Sequence, residues 1–129
     1  MHTCHLINND RDLLVVGGCD GSTISRDILT INLATMKVEW YAHLPLPLCA
    51  HSSIVVDNKY LLVNSGTNGN YLLKEFLRLD LESRKWSYLT RVPRYFSKDY
   101  DIETPRIGNT ACKGLNDLAI FFGGHDGNE

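Results

Sequence analysis

His2, Cys4 and His5 crowd the first residues of the chain, and imidazole and thiol are side chains that hold zinc. In an alternating strand His2 and Cys4 share a face while His5 points the other way. No fourth ligand stands at a spacing that would close a tetrahedral site, so no metal is expected. His51 precedes Ser52 and Ser53, a base beside two hydroxyls, but no G-x-S-x-G elbow accompanies them. Asp99, Asp101 and Glu103 gather three carboxylates in one short stretch, which reads as an acidic loop tip rather than an acid–base pair. The glycine-rich stretches at 17–21 and 66–71 are followed by neither a helical pattern nor a lysine, so they do not read as phosphate cradles. The sequence therefore predicts no catalytic set and no cofactor.

The glycines have another pattern. "LLVVGGCDG" at 13–21, "LLVNSGTNG" at 61–69 and "AIFFGGHDG" at 119–127 repeat one shape, an apolar run that stops at glycine. Gly18, Gly66 and Gly124 stand 48 and 58 residues apart. Upstream of each, an apolar run follows a small polar patch and is broken by turn residues ("NNDRD", "DNK", "KGLND"), the signature of a hairpin. Downstream of the first two, "DILTINLATMKVEWYAHL" matches "KEFLRLDLESRKWSYL", again strand, turn and strand, with Asn32 at the place of Asp80. Trp40 and Trp86 are offset by two residues in this alignment. Two residues is the period of a strand, so both are expected on one face, in an aromatic seam between neighbouring sheets. Each unit reads as four short antiparallel strands, and the chain holds about two and a half units.

This pattern resembles the kelch repeats that build β-propeller blades. Gly17 and Gly18 with Trp40, Gly66 with Trp86, and Gly123 with Gly124 carry the likeness. His2 and His51, each before a small hydroxyl residue, fall where the family often has histidine. The sequence departs from the family at Ser65, which replaces a first glycine, at Ile31 and Leu79, which replace a tyrosine, and at Asn109, which replaces the histidine. The resemblance implies an all-β fold of antiparallel four-stranded kelch-type propeller blades in an incomplete propeller. Blade 1 would span 1–47, and blade 2 would span 48–105 with a long inter-blade loop at 92–106. Residues 106–129 would give the first two strands of blade 3. Two and a half blades do not close a ring, so further blades, copies of the chain or a partner are expected to cover the open sheets.

In such a blade the loops 19–26 and 67–73 and the links between blades share one face of the disc. The long link carries Arg94, Tyr95, Phe96, Tyr100 and Arg106, and Arg26, Tyr71 and His125 are expected beside it. Arginine and aromatic residues are the types enriched at binding hot spots. The expected function is a non-enzymatic protein-interaction module of scaffold or substrate-adaptor type. The alternative is part of a propeller enzyme whose catalytic residues lie outside this chain. That reading requires a convergent polar set with metal ligands at the disc centre, and the sequence suggests none. Net charge of -2 and a pI near 6.2 argue against nucleic acid, and no apolar run is long enough to span a bilayer. The N-terminus lacks the basic start and apolar middle of a signal peptide. Cys4, Cys19, Cys49 and Cys112 form no C-x-x-C and are expected as reduced thiols, in a cytoplasmic or nuclear protein.

Overall fold

Asn32 and Asp80 each end a strand by folding the backbone over their own side chains. The Asn32 amide oxygen accepts the N–H groups of Ala34 and Thr35, both at 3.0 Å, and the Asp80 carboxylate accepts those of Glu82 and Ser83 at 2.9 and 3.0 Å. Each turn then closes through a left-handed residue, Met36 in one and Arg84 in the other, both at φ 58°. The match extends to Leu33 and Leu81, whose N–H groups donate to the carbonyls of Arg11 and Lys59. The repeat seen in the sequence is thus a repeat of hydrogen bonds.

The computed structural model describes residues 1–89 and 106–126. They form ten antiparallel strands and no α-helix: β1 (Thr3–Ile7), β2 (Asp12–Cys19), β3 (Ile24–Asn32), β4 (Val38–His43), β5 (Ser52–Val56), β6 (Tyr60–Asn64), β7 (Phe76–Asp80), β8 (Trp86–Leu89), β9 (Ile107–Lys113) and β10 (Ala119–His125). They pair in sequence order into sheets of four (β1 to β4), four (β5 to β8) and two (β9 and β10). The chain is all-β, with antiparallel sheets. Tight turns join the strands. Asp57 and Asn58 are both left-handed in the three-residue β5–β6 loop, where the Lys59 N–H donates to the Val56 carbonyl at 3.0 Å. Asn8, Asn9 and Asp10 take positive φ between β1 and β2, and a 3-10 turn at Leu115–Asp117 links β9 to β10. No helix among the described residues is long and apolar enough to cross a membrane.

The core lies between the first two sheets. Ile7, Leu14, Val16, Ile28 and Ala42 of the first sheet meet Leu61, Val63, Leu77 and Leu79 of the second in one buried cluster. Their spacing of two puts each set on one face. Trp86 lies in this seam, packed on the cluster with its indole N–H donating to the His43 carbonyl at 2.7 Å. Trp40 does not share that fate. The register pairs it with Leu29 as Leu77 pairs with Tyr88, on the face of the first sheet turned away from the second. It is 57% exposed and touches His43 edge-on, with ring centroids 5.1 Å apart. The aromatic seam expected of both tryptophans exists for Trp86 alone, because no described sheet covers the first one on that side.

The glycine stops also have a physical cause. Gly18, Gly66 and Gly124 sit at φ +113°, +93° and +80°. A Cβ on them would fall 2.7 Å from the His2 Cβ, 2.7 Å from the His51 Cβ and 3.0 Å from the Asn109 Cβ. In all three sheets the second strand ends where the first strand of the same sheet begins, and only glycine tolerates both the dihedral and the approach. Gly17 is held in the same way, its Cβ direction blocked by the Leu48 carbonyl at 2.7 Å. Gly123 is left-handed with open space around it. Ser65, standing in for a first glycine, keeps the positive φ at 64°.

Candidate functional site

The first strands of the three sheets, β1, β5 and β9, lie side by side, and their polar residues converge. Ser53 lies opposite Val63 on β5, so its side chain turns toward the first sheet. There it meets His5, whose Nε2 is 2.7 Å from the Ser53 hydroxyl, and it meets the Thr3 hydroxyl as well. Thr3 in turn lies 3.0 Å from Nε2 of His51. One residue along β5 the direction reverses. The Ser52 hydroxyl donates to the Asn109 amide oxygen at 2.9 Å, and the Asn109 amide reaches Asn64 at 3.4 Å. An open cleft of about 350 Å³ runs along these strands, lined among others by His2, Thr3, His5, His51, Ser53 and Asn109.

Protonation orders the chain of bonds. His51 is buried, and desolvation, followed by the charges of His5 and His2, holds its pKa at about 4. A neutral ring carries one N–H. The Val16 backbone favours a proton on this ring, although Nδ1 has no partner at full hydrogen-bonding geometry. With the proton on Nδ1, Nε2 accepts from Thr3, Thr3 accepts from Ser53, and Ser53 accepts the N–H of His5. His5, also pushed down by burial, is then the donor. With the proton on Nε2 the chain runs the other way and Ser53 donates to His5, so the His51 tautomer sets the direction of every bond. Among the described residues no group of three or more His, Cys, Asp or Glu side chains could hold a metal.

The sequence reading missed this convergence. Its signal was present in the "HT", "HSS" and "NT" that open the three first strands. Read as one repeat position, they place hydroxyls and ring nitrogens on neighbouring strands.

The arginine and aromatic set falls elsewhere, at the glycine ends of the second strands. Arg26 is exposed on β3, and its carbonyl accepts the Leu44 N–H at 2.7 Å. Tyr71 is exposed on the loop after β6, where its hydroxyl donates to Glu75 at 3.1 Å. A Cβ on Gly69 in that loop would meet Ile24 at 3.7 Å, so the loops after β2 and β6 are neighbours. Arg106 is half-buried. Its guanidinium donates to the Gly124 carbonyl at 2.9 Å, and its own carbonyl accepts the Gly66 N–H at 2.9 Å. His125 is exposed one residue beyond Gly124, opposite Ile107. The structure thus brings Arg106 and His125 together and sets Arg26 and Tyr71 at the same end of the first two sheets. Arg94, Tyr95, Phe96 and Tyr100 lie outside the described residues.

No protein-family model matches the chain. Among curated proteins it is similar to Adagio-like protein 3 of Oryza sativa subsp. japonica, with 28% identity over 128 residues. The match covers 95% of this chain and 19% of that protein, so the chain spans about a fifth of the length of the relative it matches.

Proposed function

We propose that the chain is a segment of a kelch-type β-propeller and works as a non-enzymatic protein-interaction module. It would present the loops at the glycine ends of β2, β6 and β10 to a protein partner, in the manner of a scaffold or substrate adaptor. The observation that carries this reading is the placement of Arg26, Tyr71, Arg106 and His125 at that one end of the three sheets. Rigid strands hold the loops there, and arginine and tyrosine are hot-spot residue types.

The propeller half of the proposal draws support from positions that repeat between sheets. Leu77, Leu79 and Trp86 of the second sheet pack toward the first. Leu29, Ile31 and Val38 occupy the same places in the first sheet and lack a described neighbour there; Val38 is 56% exposed. Phe122 of the third sheet stands where Val16 stands in the first and is 78% exposed, against 0% for Val16. Both open faces have the composition of faces that, one unit along, are covered by another sheet. Further blades would cover them.

The experiment is affinity capture with the chain as bait, followed by the same capture with Arg26, Tyr71, Arg94, Tyr95 and Phe96 replaced by alanine. Capture of the partner should fall about tenfold or more, with an unchanged thermal midpoint. Unchanged capture would overturn the loop assignment. The second reading, a piece of a propeller enzyme, has the His5–Ser53 contact in its favour.

A further inference from the structure

Two of the four cysteines follow a shared backbone hydrogen bond at the first seam. Cys19 closes β2, and Cys49 lies in the link between the first two sheets. The Gly18 N–H donates to the Leu48 carbonyl at 2.8 Å, so the residues that follow, Cys19 and Cys49, leave one point of backbone contact. Cys49 is buried, while Cys19 is half-buried with its sulfur accepting the Gly21 N–H at 3.2 Å. Burial holds the Cys49 thiol above its ordinary pKa, and the hydrogen-bonded Cys19 thiol adds to the shift. Cys4 and Cys112 are exposed on β1 and β9, away from this pair.

We propose that Cys19 and Cys49 form a redox pair that closes to an intramolecular disulfide when the chain meets a low-molecular-weight disulfide such as oxidised glutathione. Cys19 is the more accessible sulfur and attacks first. Its thiolate displaces one glutathione thiolate and forms a mixed disulfide. Cys49 then gives up its proton and attacks the Cys19 sulfur, forming the Cys19–Cys49 bond and releasing the second glutathione. Two protein thiols are oxidised, one glutathione disulfide is reduced to two thiols, and the two cysteine protons end on the departing thiolates.

The bond would fasten β2 to the inter-sheet link. Cys49 also exchanges both backbone hydrogen bonds with Thr67 at 2.9 Å, so the tie reaches the loop that carries Tyr71. An effect of the disulfide on partner capture rests on the interaction reading above, whereas formation of the bond does not.

The test uses the full chain with Cys4→Ser and Cys112→Ser, equilibrated in glutathione buffers of increasing oxidised fraction. Free thiols are counted, and the bond is mapped by mass spectrometry without reduction. The expected result is paired loss of both thiols within a monomer, a Cys19–Cys49 cross-linked peptide and a raised thermal midpoint. With Cys49→Ser added, a glutathione adduct should accumulate on Cys19. Under 8 M urea, roughly a denaturing concentration for a small domain, the cross-link should require a more oxidising buffer. Two free thiols in the fully oxidised buffer with a native circular dichroism spectrum would overturn the proposal. So would a stable glutathione adduct on Cys19 in the chain that retains Cys49.

Discussion

An imidazole beneath a glycine turn has little choice of charge. His51 is 6% exposed, and its folded pKa of about 4 lies below the ordinary 6.5. As pH falls through 6.5 the unfolded chain takes up a proton that the folded chain refuses, so stability is lost between pH 6.5 and 4 and fully present above 6.5. The size of the effect is about 3 kcal/mol across that window, and His5, shifted in the same direction, adds to the slope. Urea unfolding at pH 4.5, 5.5 and 7 should show a midpoint that climbs with pH. His51→Asn should flatten much of the climb while leaving the His5 share. Asparagine is a fair replacement because Asn109 holds the corresponding place against Gly124 in the third sheet. The histidine, the glycine and their recurrence could all be read from the sequence. The contact between them could not, because it depends on how closely two strands of one sheet approach at their ends.

At the scale of elements, the two tryptophans separate local pattern from context. Both lie on the corresponding face of their own sheet, as the strand period requires. Trp86 finds the first sheet against that face, and Trp40 finds solvent. Trp86→Ala should therefore cost about 2–3 kcal/mol in a chemical denaturation series, and Trp40→Ala less than about 1 kcal/mol. Equal losses would mean that Trp40 is covered in solution. The hairpins, the glycine stops and the twin turns at Asn32 and Asp80 were legible because each is written in adjacent residues with a known turn chemistry. The register slip between Ile28 and Leu29, which leaves Tyr41 without a partner in the ladder, has no such mark. The reason for it lies across the seam. Tyr41 reaches the Leu81 carbonyl with its hydroxyl and carries the Arg84 guanidinium 4.3 Å above its ring. A residue displaced by a neighbouring sheet cannot be found from its own strand.

For the molecule as a whole, the same repeat position has two values. Val16 is buried between sheets, and Phe122 looks outward from the third sheet. Serine at 16 should cost about 2–4 kcal/mol, and serine at 122 should stay within about 0.5 kcal/mol, read from the denaturation midpoints of the isolated chain. A sheet docked on the third one would bring the two values together, so the comparison also reports whether that face is covered. One property of the strand order reaches beyond stability. Among the described residues each sheet pairs its strands in chain order, and no crossover joins distant segments within a sheet. Each pairing closes only a short loop, at small entropic expense, so either four-stranded sheet can zip up without waiting for the other. What remains is the meeting of finished sheets, where Trp86 finds His43, Tyr41 finds Leu81 and Thr3 finds His51. The strand order predicts that the seam forms last, so in stopped-flow refolding the aromatic signal should lag behind the backbone signal of the two meanders.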